Sequence, residues 1–77
     1  MKIELTYYGR LAELTGVATE TLDLDAATST DLRRAVLEKH PALKNSTFQL
    51  AANNEILATD QRLTTARVDL FPPFSGG

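Results

Sequence analysis

The sequence predicts an α+β domain, a mixed sheet with one main helix packed on one face. Three observations carry this. Two segments near the N-terminus alternate apolar and polar residues with period two. A middle segment switches to helical spacing behind a capping signal. The second half returns to short alternating runs separated by turn residues.

Lys2 to Tyr8 places Ile3, Leu5 and Tyr7 against Lys2, Glu4 and Thr6, the pattern of a half-buried strand that Gly9 ends. Arg10 to Leu14 reads as one or two helical turns stopped near Gly16, too short to persist without packing. Glu20 to Asp25 alternates again. The short connection makes antiparallel pairing with the first strand the economical arrangement. Thr28 starts a helix with Asp31 three residues on, a variant of the capping box. Leu32, Ala35 and Val36 share one face of it, extended by His40 or the Lys39 stem, while Arg33, Arg34 and Glu38 are assigned to water. Pro41 stops it. Thr47 to Ala52 follows as a strand with Phe48, Leu50 and Ala52 in phase. Asn53-Asn54 is a turn, Ile56-Leu57 a short return strand, and Thr59 to Thr65 a polar loop. Arg67 to Phe71 closes the order with Val68 and Leu70 inward. This order resembles a β-grasp roll, in which the first and last strands lie parallel and adjacent at the sheet centre.

With 77 residues the chain makes one domain, expected over 1–71, and a flexible tail over 72–77. A core of this size is marginal, and with no cysteine it has no disulfide staple and no thiol chemistry of its own. One histidine and no cysteine make a zinc site unexpected. A net charge of −2 with interleaved signs gives no basic stripe for nucleic acid. No stretch reads as a signal peptide or a membrane span, so no membrane partner and a cytoplasmic location are the expectations.

The informative stretch is Phe71-Pro72-Pro73-Phe74-Ser75-Gly76-Gly77. Two prolines directly after a strand lack the N–H groups to continue its ladder, and they hold the chain extended. From Pro72 to Gly77 the chain can reach about 20 Å at full extension. The last two residues have no side chains, which suits threading into a narrow channel. The reactive group is then the Gly77 carboxylate, an electrophile only after activation. Adenylation would supply a leaving group, and a sulfur donor would convert the acyl adenylate into a thiocarboxylate.

FPPFSGG resembles the terminal F-P-P-V-[ST]-G-G signature of the molybdopterin synthase small subunits, a family of ubiquitin-like sulfur carriers. TYYGRLAELTG is similar to that family's opening strand and helix, and LAANNEIL to its A-V-N segment. Phe74 stands where the family usually has a small aliphatic residue. The resemblance implies that a ubiquitin-activating-type adenylyltransferase uses ATP to charge Gly77, which then becomes a thiocarboxylate. It further implies that the loaded tail, with Gly76 threading behind Gly77, enters the large catalytic subunit of molybdopterin synthase in a heterotetramer. Sulfur would pass there to cyclic pyranopterin monophosphate. This chain would bind no cofactor, and the catalytic side chains would belong to the large subunit. A carrier for thiamine or cysteine synthesis, a ubiquitin-like protein modifier and an interaction domain with an inert tail remain alternatives. The Phe-Pro-Pro hinge favours the first reading, since thiamine-type carriers usually lack it.

Alternation also predicts a docking patch. With Tyr7 inward, Tyr8 lies on the opposite sheet face, and Phe71 likewise opposes Leu70. If the two strands are parallel neighbours, Tyr8 and Phe71 meet beside the tail exit. Ile56, Pro72, Pro73, Phe74 and Ser75 complete the candidate partner-binding set. A local pair that only shields the sheet end is the alternative. Arg10 is expected to be solvated. His40 is read as structural or idle, and Glu20, Asp23 and Asp25 as a solvated edge.

Overall fold

The computed structural model describes residues 2–25 and 28–73. In chain order the elements are β1 (Lys2–Tyr7), α1 (Arg10–Thr15), β2 (Thr19–Asp23), α2 (Ser29–Lys39), a 3-10 turn (Pro41–Leu43), β3 (Gln49–Ala52), β4 (Glu55–Ile56) and β5 (Arg67–Phe71). The strands form one sheet in the order β2-β1-β5-β3-β4. β1 pairs antiparallel with β2 and parallel with β5, while β3 pairs antiparallel with β5 and β4. The predicted α+β class and the parallel central pair are both present.

Local chemistry accounts for the element ends. The Thr28 hydroxyl oxygen accepts from the Asp31 N–H at 3.2 Å and donates to the Asp31 carboxylate at 2.7 Å, so the cap forms with Asp in the usual Glu position. Asn53 and Asn54 both take positive φ, 53° and 66°, as a tight hairpin between β3 and β4 requires. Pro41 ends α2 and opens the 3-10 turn, which buries Leu43. Sequence periodicity did not flag Leu43, because an irregular turn has no period to read. Leu63 is also buried, inside the segment read as a polar loop.

The core lies on the helix side of the sheet. Ile3, Leu5 and Tyr7 of β1, Val68 and Leu70 of β5 and Leu50 of β3 meet Leu11, Leu32, Val36, Leu43 and Phe48 in one cluster. Deleting any of the fully buried leucines should cost about 2–5 kcal/mol.

Two assignments of surface residues need correction. Glu20 is not part of a solvated edge. It lies opposite Leu5 across the β1–β2 ladder, on the core face, and its side chain is only 11% exposed. Its carboxylate accepts from the Tyr7 hydroxyl at 2.5 Å, from His40 Nε2 at 2.5 Å and from Lys39 Nζ at 2.8 Å. The alternation had grouped it with Asp23, yet by strict period two it belongs with Leu22. His40 therefore has a structural role, with its ring edge-on to Tyr7 at 5.6 Å. Arg33 was assigned to water but is half-buried. Its guanidinium lies 4.6 Å over the Phe48 ring and donates to the Phe48 carbonyl at 3.0 Å.

Burial alone would raise the Glu20 pKa. Hydrogen bonds from Lys39, Tyr7 and His40, with the charge of His40, outweigh it and bring the value down to about 2 from 4.5. The same cluster pushes Tyr7 upward, through burial first and then the Glu20 carboxylate. A carboxyl depressed in the fold stabilises it above the unfolded pKa, and that contribution is lost as pH falls through the folded value. Stability should therefore hold from neutrality to about pH 5 and fall between about 4.5 and 2. Denaturant titrations of wild type and Glu20→Gln across this range check the assignment. The variant should lose about 2–3 kcal/mol at pH 7 and show a flatter acid limb.

Candidate functional site at the tail exit

The site is built where β1 and β5 end together. The parallel register sets Tyr7 beside Leu70, so the next residues, Tyr8 and Phe71, fall side by side on the outer face. The Tyr8 N–H donates to the Leu70 carbonyl at 3.0 Å, carrying the ladder one step past β1. The two rings stack at 4.6 Å between centroids and 8° between planes. Tyr8 remains 42% exposed. The expected meeting of these two residues is therefore observed.

Gly9 is a positioning residue that sequence reasoning treated only as a strand stop. Its φ of 56° and ψ of −130° turn the chain from β1 into α1, in a region that residues with a Cβ avoid. The Pro72 ring packs against it, with Cγ 3.5 Å from where a Cβ would project. Pro72 is thus half-buried and still in contact with the domain, and Pro73 is the first tail residue that stands exposed. The available signal was a glycine at a strand end facing a proline at the end of its parallel neighbour, which only the strand order makes readable.

Ile56 is 53% exposed and shares the outer face, since it pairs with Ala51, which pairs with Asp69. It lies two strands away from Phe71, with β3 between, roughly 12 Å off by strand spacing. The structure brings Tyr8, Phe71 and Pro72 together and leaves Ile56 as a separate apolar point on the same face. Phe74, Ser75, Gly76 and Gly77 lie outside the described residues. Arg10, beside this corner, is exposed as expected.

A stacked aromatic pair thus sits at the base of the Pro72-Pro73 segment, and comparison with known proteins gives the family. A family model, that of the ThiS family, matches residues 5–77. The chain belongs to the ThiS family. It is 31% identical over 83 aligned positions to the molybdopterin synthase sulfur carrier subunit of Caenorhabditis briggsae, covering 100% of this chain and 99% of that one. Among solved structures it resembles small archaeal modifier protein 1 of Haloferax volcanii, with a TM-score of 0.83, 29% identity and full coverage of both chains. It also resembles the Pyrococcus furiosus protein assigned as molybdopterin converting factor subunit 1, with a TM-score of 0.86 and 25% identity over 95% of this chain and 98% of that one. The fold is accordingly the ubiquitin-like β-grasp, and the ThiS family places the chain among sulfur carriers.

The Gly9 turn gives a direct test of this geometry. Gly9→Ala should cost about 1–3 kcal/mol through backbone strain, because a Cβ at 3.5 Å from Pro72 meets no steric clash. Urea denaturation measures the loss. Gly9→Val adds bulk toward Pro72 and should also shift the Pro72 and Pro73 resonances, which Gly9→Ala should leave nearly in place.

Proposed function

We propose that this chain carries sulfur on the Gly77 carboxylate for molybdenum-cofactor synthesis, acting as the small subunit of molybdopterin synthase. The observation that carries the proposal is the stacked Tyr8–Phe71 pair at the exit of the Pro72-Pro73 segment. Similarity to a molybdopterin synthase sulfur carrier subunit over essentially both chains supports it.

The chemistry follows from an unreactive carboxylate. A Gly77 carboxylate oxygen attacks the α-phosphorus of ATP on an adenylyltransferase, and pyrophosphate leaves. A persulfide or sulfide donor then attacks the acyl carbon, and AMP leaves. A persulfide donor gives an acyl disulfide, which a second thiol reduces to the thiocarboxylate. On the large subunit the thiocarboxylate sulfur bonds to a side-chain carbon of cyclic pyranopterin monophosphate as that carbon's bond to oxygen breaks, the oxygen leaving on phosphate or as water. Water then attacks the acyl carbon, which releases sulfur to the pterin and restores the carboxylate. This chain supplies reach, threading and docking, while the catalytic side chains belong to its partners. Tyr8 and Phe71 dock, with Ile56 as an outlying contact, and Pro72, Pro73, Phe74 and Ser75 line the entering tail. No resident cofactor is invoked, and the proposed site of action is the cytoplasm.

A second reading has a specific observation behind it. The likeness to small archaeal modifier protein 1 favours a modifier that joins the same activated carboxylate to lysine amines. Incubation with ATP, an activating enzyme and a sulfur source separates the two. The carrier reading predicts an intact mass in which one oxygen is replaced by sulfur, lost when Gly77 is deleted. Lysine-linked conjugates without that species would support the modifier, and an unchanged mass would refute both.

Docking is tested separately. Phe71→Asp should weaken binding to the large subunit by at least about thirtyfold, the loss expected when an interface anchor is removed. Calorimetric titration measures this, and an unchanged dissociation constant for the folded variant removes Phe71 from the interface.

A further inference from the structure

On the helix side of the sheet, opposite Tyr8 and Phe71, two hollows run along one flank of α2. One, of about 260 Å³, is lined by residues that include Ser29, Leu57 and Ala58. The other, of about 330 Å³, is lined by Arg34, Leu37, Glu38 and Lys44. Both are bordered by Thr30 and Arg33, so they adjoin as one groove.

Its charge is lopsided. The chain is acidic overall, yet four of its eight lysines and arginines, Arg33, Arg34, Lys39 and Lys44, fall between residues 33 and 44. Lys39 is taken by Glu20. Arg34 reaches Asp31 only at 3.9 Å and stays exposed, as does Lys44. Arg33 is the fixed member. The Phe48 ring and carbonyl hold its guanidinium in place, and among the described residues it makes no ion pair. Among the described residues Glu38 is the only acid lining either hollow, and Leu37 and Leu57 give the groove apolar ground. A preorganised cation, two exposed cations and an apolar floor complement an acidic segment that also carries an apolar side chain.

We propose that this groove docks an acidic peptide segment of a partner protein. One carboxylate pairs with Arg33 and Arg34, a second with Lys44, and an apolar side chain lies over Leu37. A nucleic-acid backbone fits less well, because the net charge of −2 opposes it outside this short run. Such docking leaves the outer sheet face and the tail free, so a partner could hold the chain while Gly77 is in use. It does not depend on the sulfur-carrier reading.

The full chain, labelled with ¹⁵N, is titrated with an end-blocked peptide in which leucine is flanked by aspartate and glutamate. Shifts should concentrate at Thr30, Arg33, Arg34, Leu37, Glu38 and Lys44, and added salt should weaken binding. The Arg34→Glu/Lys44→Glu double variant alters exposed positions and should keep the fold. It should weaken binding at least about fivefold, by exchanging two attractions for repulsions. Arg33→Gln should weaken it as well. Equal binding of a peptide with lysines in place of the acids overturns the proposal. So do shifts centred on Tyr8 and Phe71, unchanged binding by the double variant, or no shifts at millimolar peptide.

Discussion

The parallel pairing of β1 with β5 is the constraint on which the rest of the structure depends. It joins the beginning of the chain to its end, a contact of the largest sequence separation the fold offers, and nothing local enforces it. Its register makes Tyr8 and Phe71 neighbours and brings Gly9 under Pro72. A slip of one residue would turn Val68 and Leu70 outward and Phe71 into the core. The burial that stabilises the domain therefore also fixes the direction in which the tail departs.

Around that pair the fold combines apolar packing with one polar lock. Val68, Leu70, Ile3 and Leu5 supply nondirectional burial, which favours many compact arrangements. The Glu20 carboxylate, held by donors from β1 and the end of α2, favours only this one. Such a cluster does less for net stability than its short contacts suggest, because desolvation offsets much of the attraction. Its value lies in position. It ties the end of β1, one residue before the stacked Tyr8, to β2 and α2. The stacked aromatic pair thus stands on a braced strand end.

Much of this was legible in the sequence, for reasons specific to particular residues. Alternation located β1 and β5, the Asn53-Asn54 pair located the hairpin, and Pro72-Pro73 marked the end of the sheet. Tyr8 and Phe71 could be placed together because period two fixes the face of a residue once its neighbour is known to be buried. Glu20 and Arg33 were misplaced because charge was read as exposure. Both are held by partners distant in sequence, Glu20 by His40 and Arg33 by Phe48, which no local pattern encodes. Leu43 and Leu63 lie in irregular segments without a period. Gly9 gained its role only through Pro72, from the other end of the chain.

The proposed delivery of a terminal acyl group asks two things of a small domain: a reactive carboxylate at the tip, and a rigid base that leaves it accessible. β1 and β5 run the same way, so Lys2 lies at the end of the sheet opposite the tail exit. Five residues of β5 separate the two edges by roughly 16 Å. Activity should then be indifferent to the first end and intolerant at the last. The most direct measurement compares sulfur transfer in a reconstituted assay by two proteins, one bearing an N-terminal fusion and one a single alanine after Gly77. The account predicts near-normal transfer by the fusion and none by the extended protein, whose carboxylate is displaced from the activation site. Equal activity in both would contradict it.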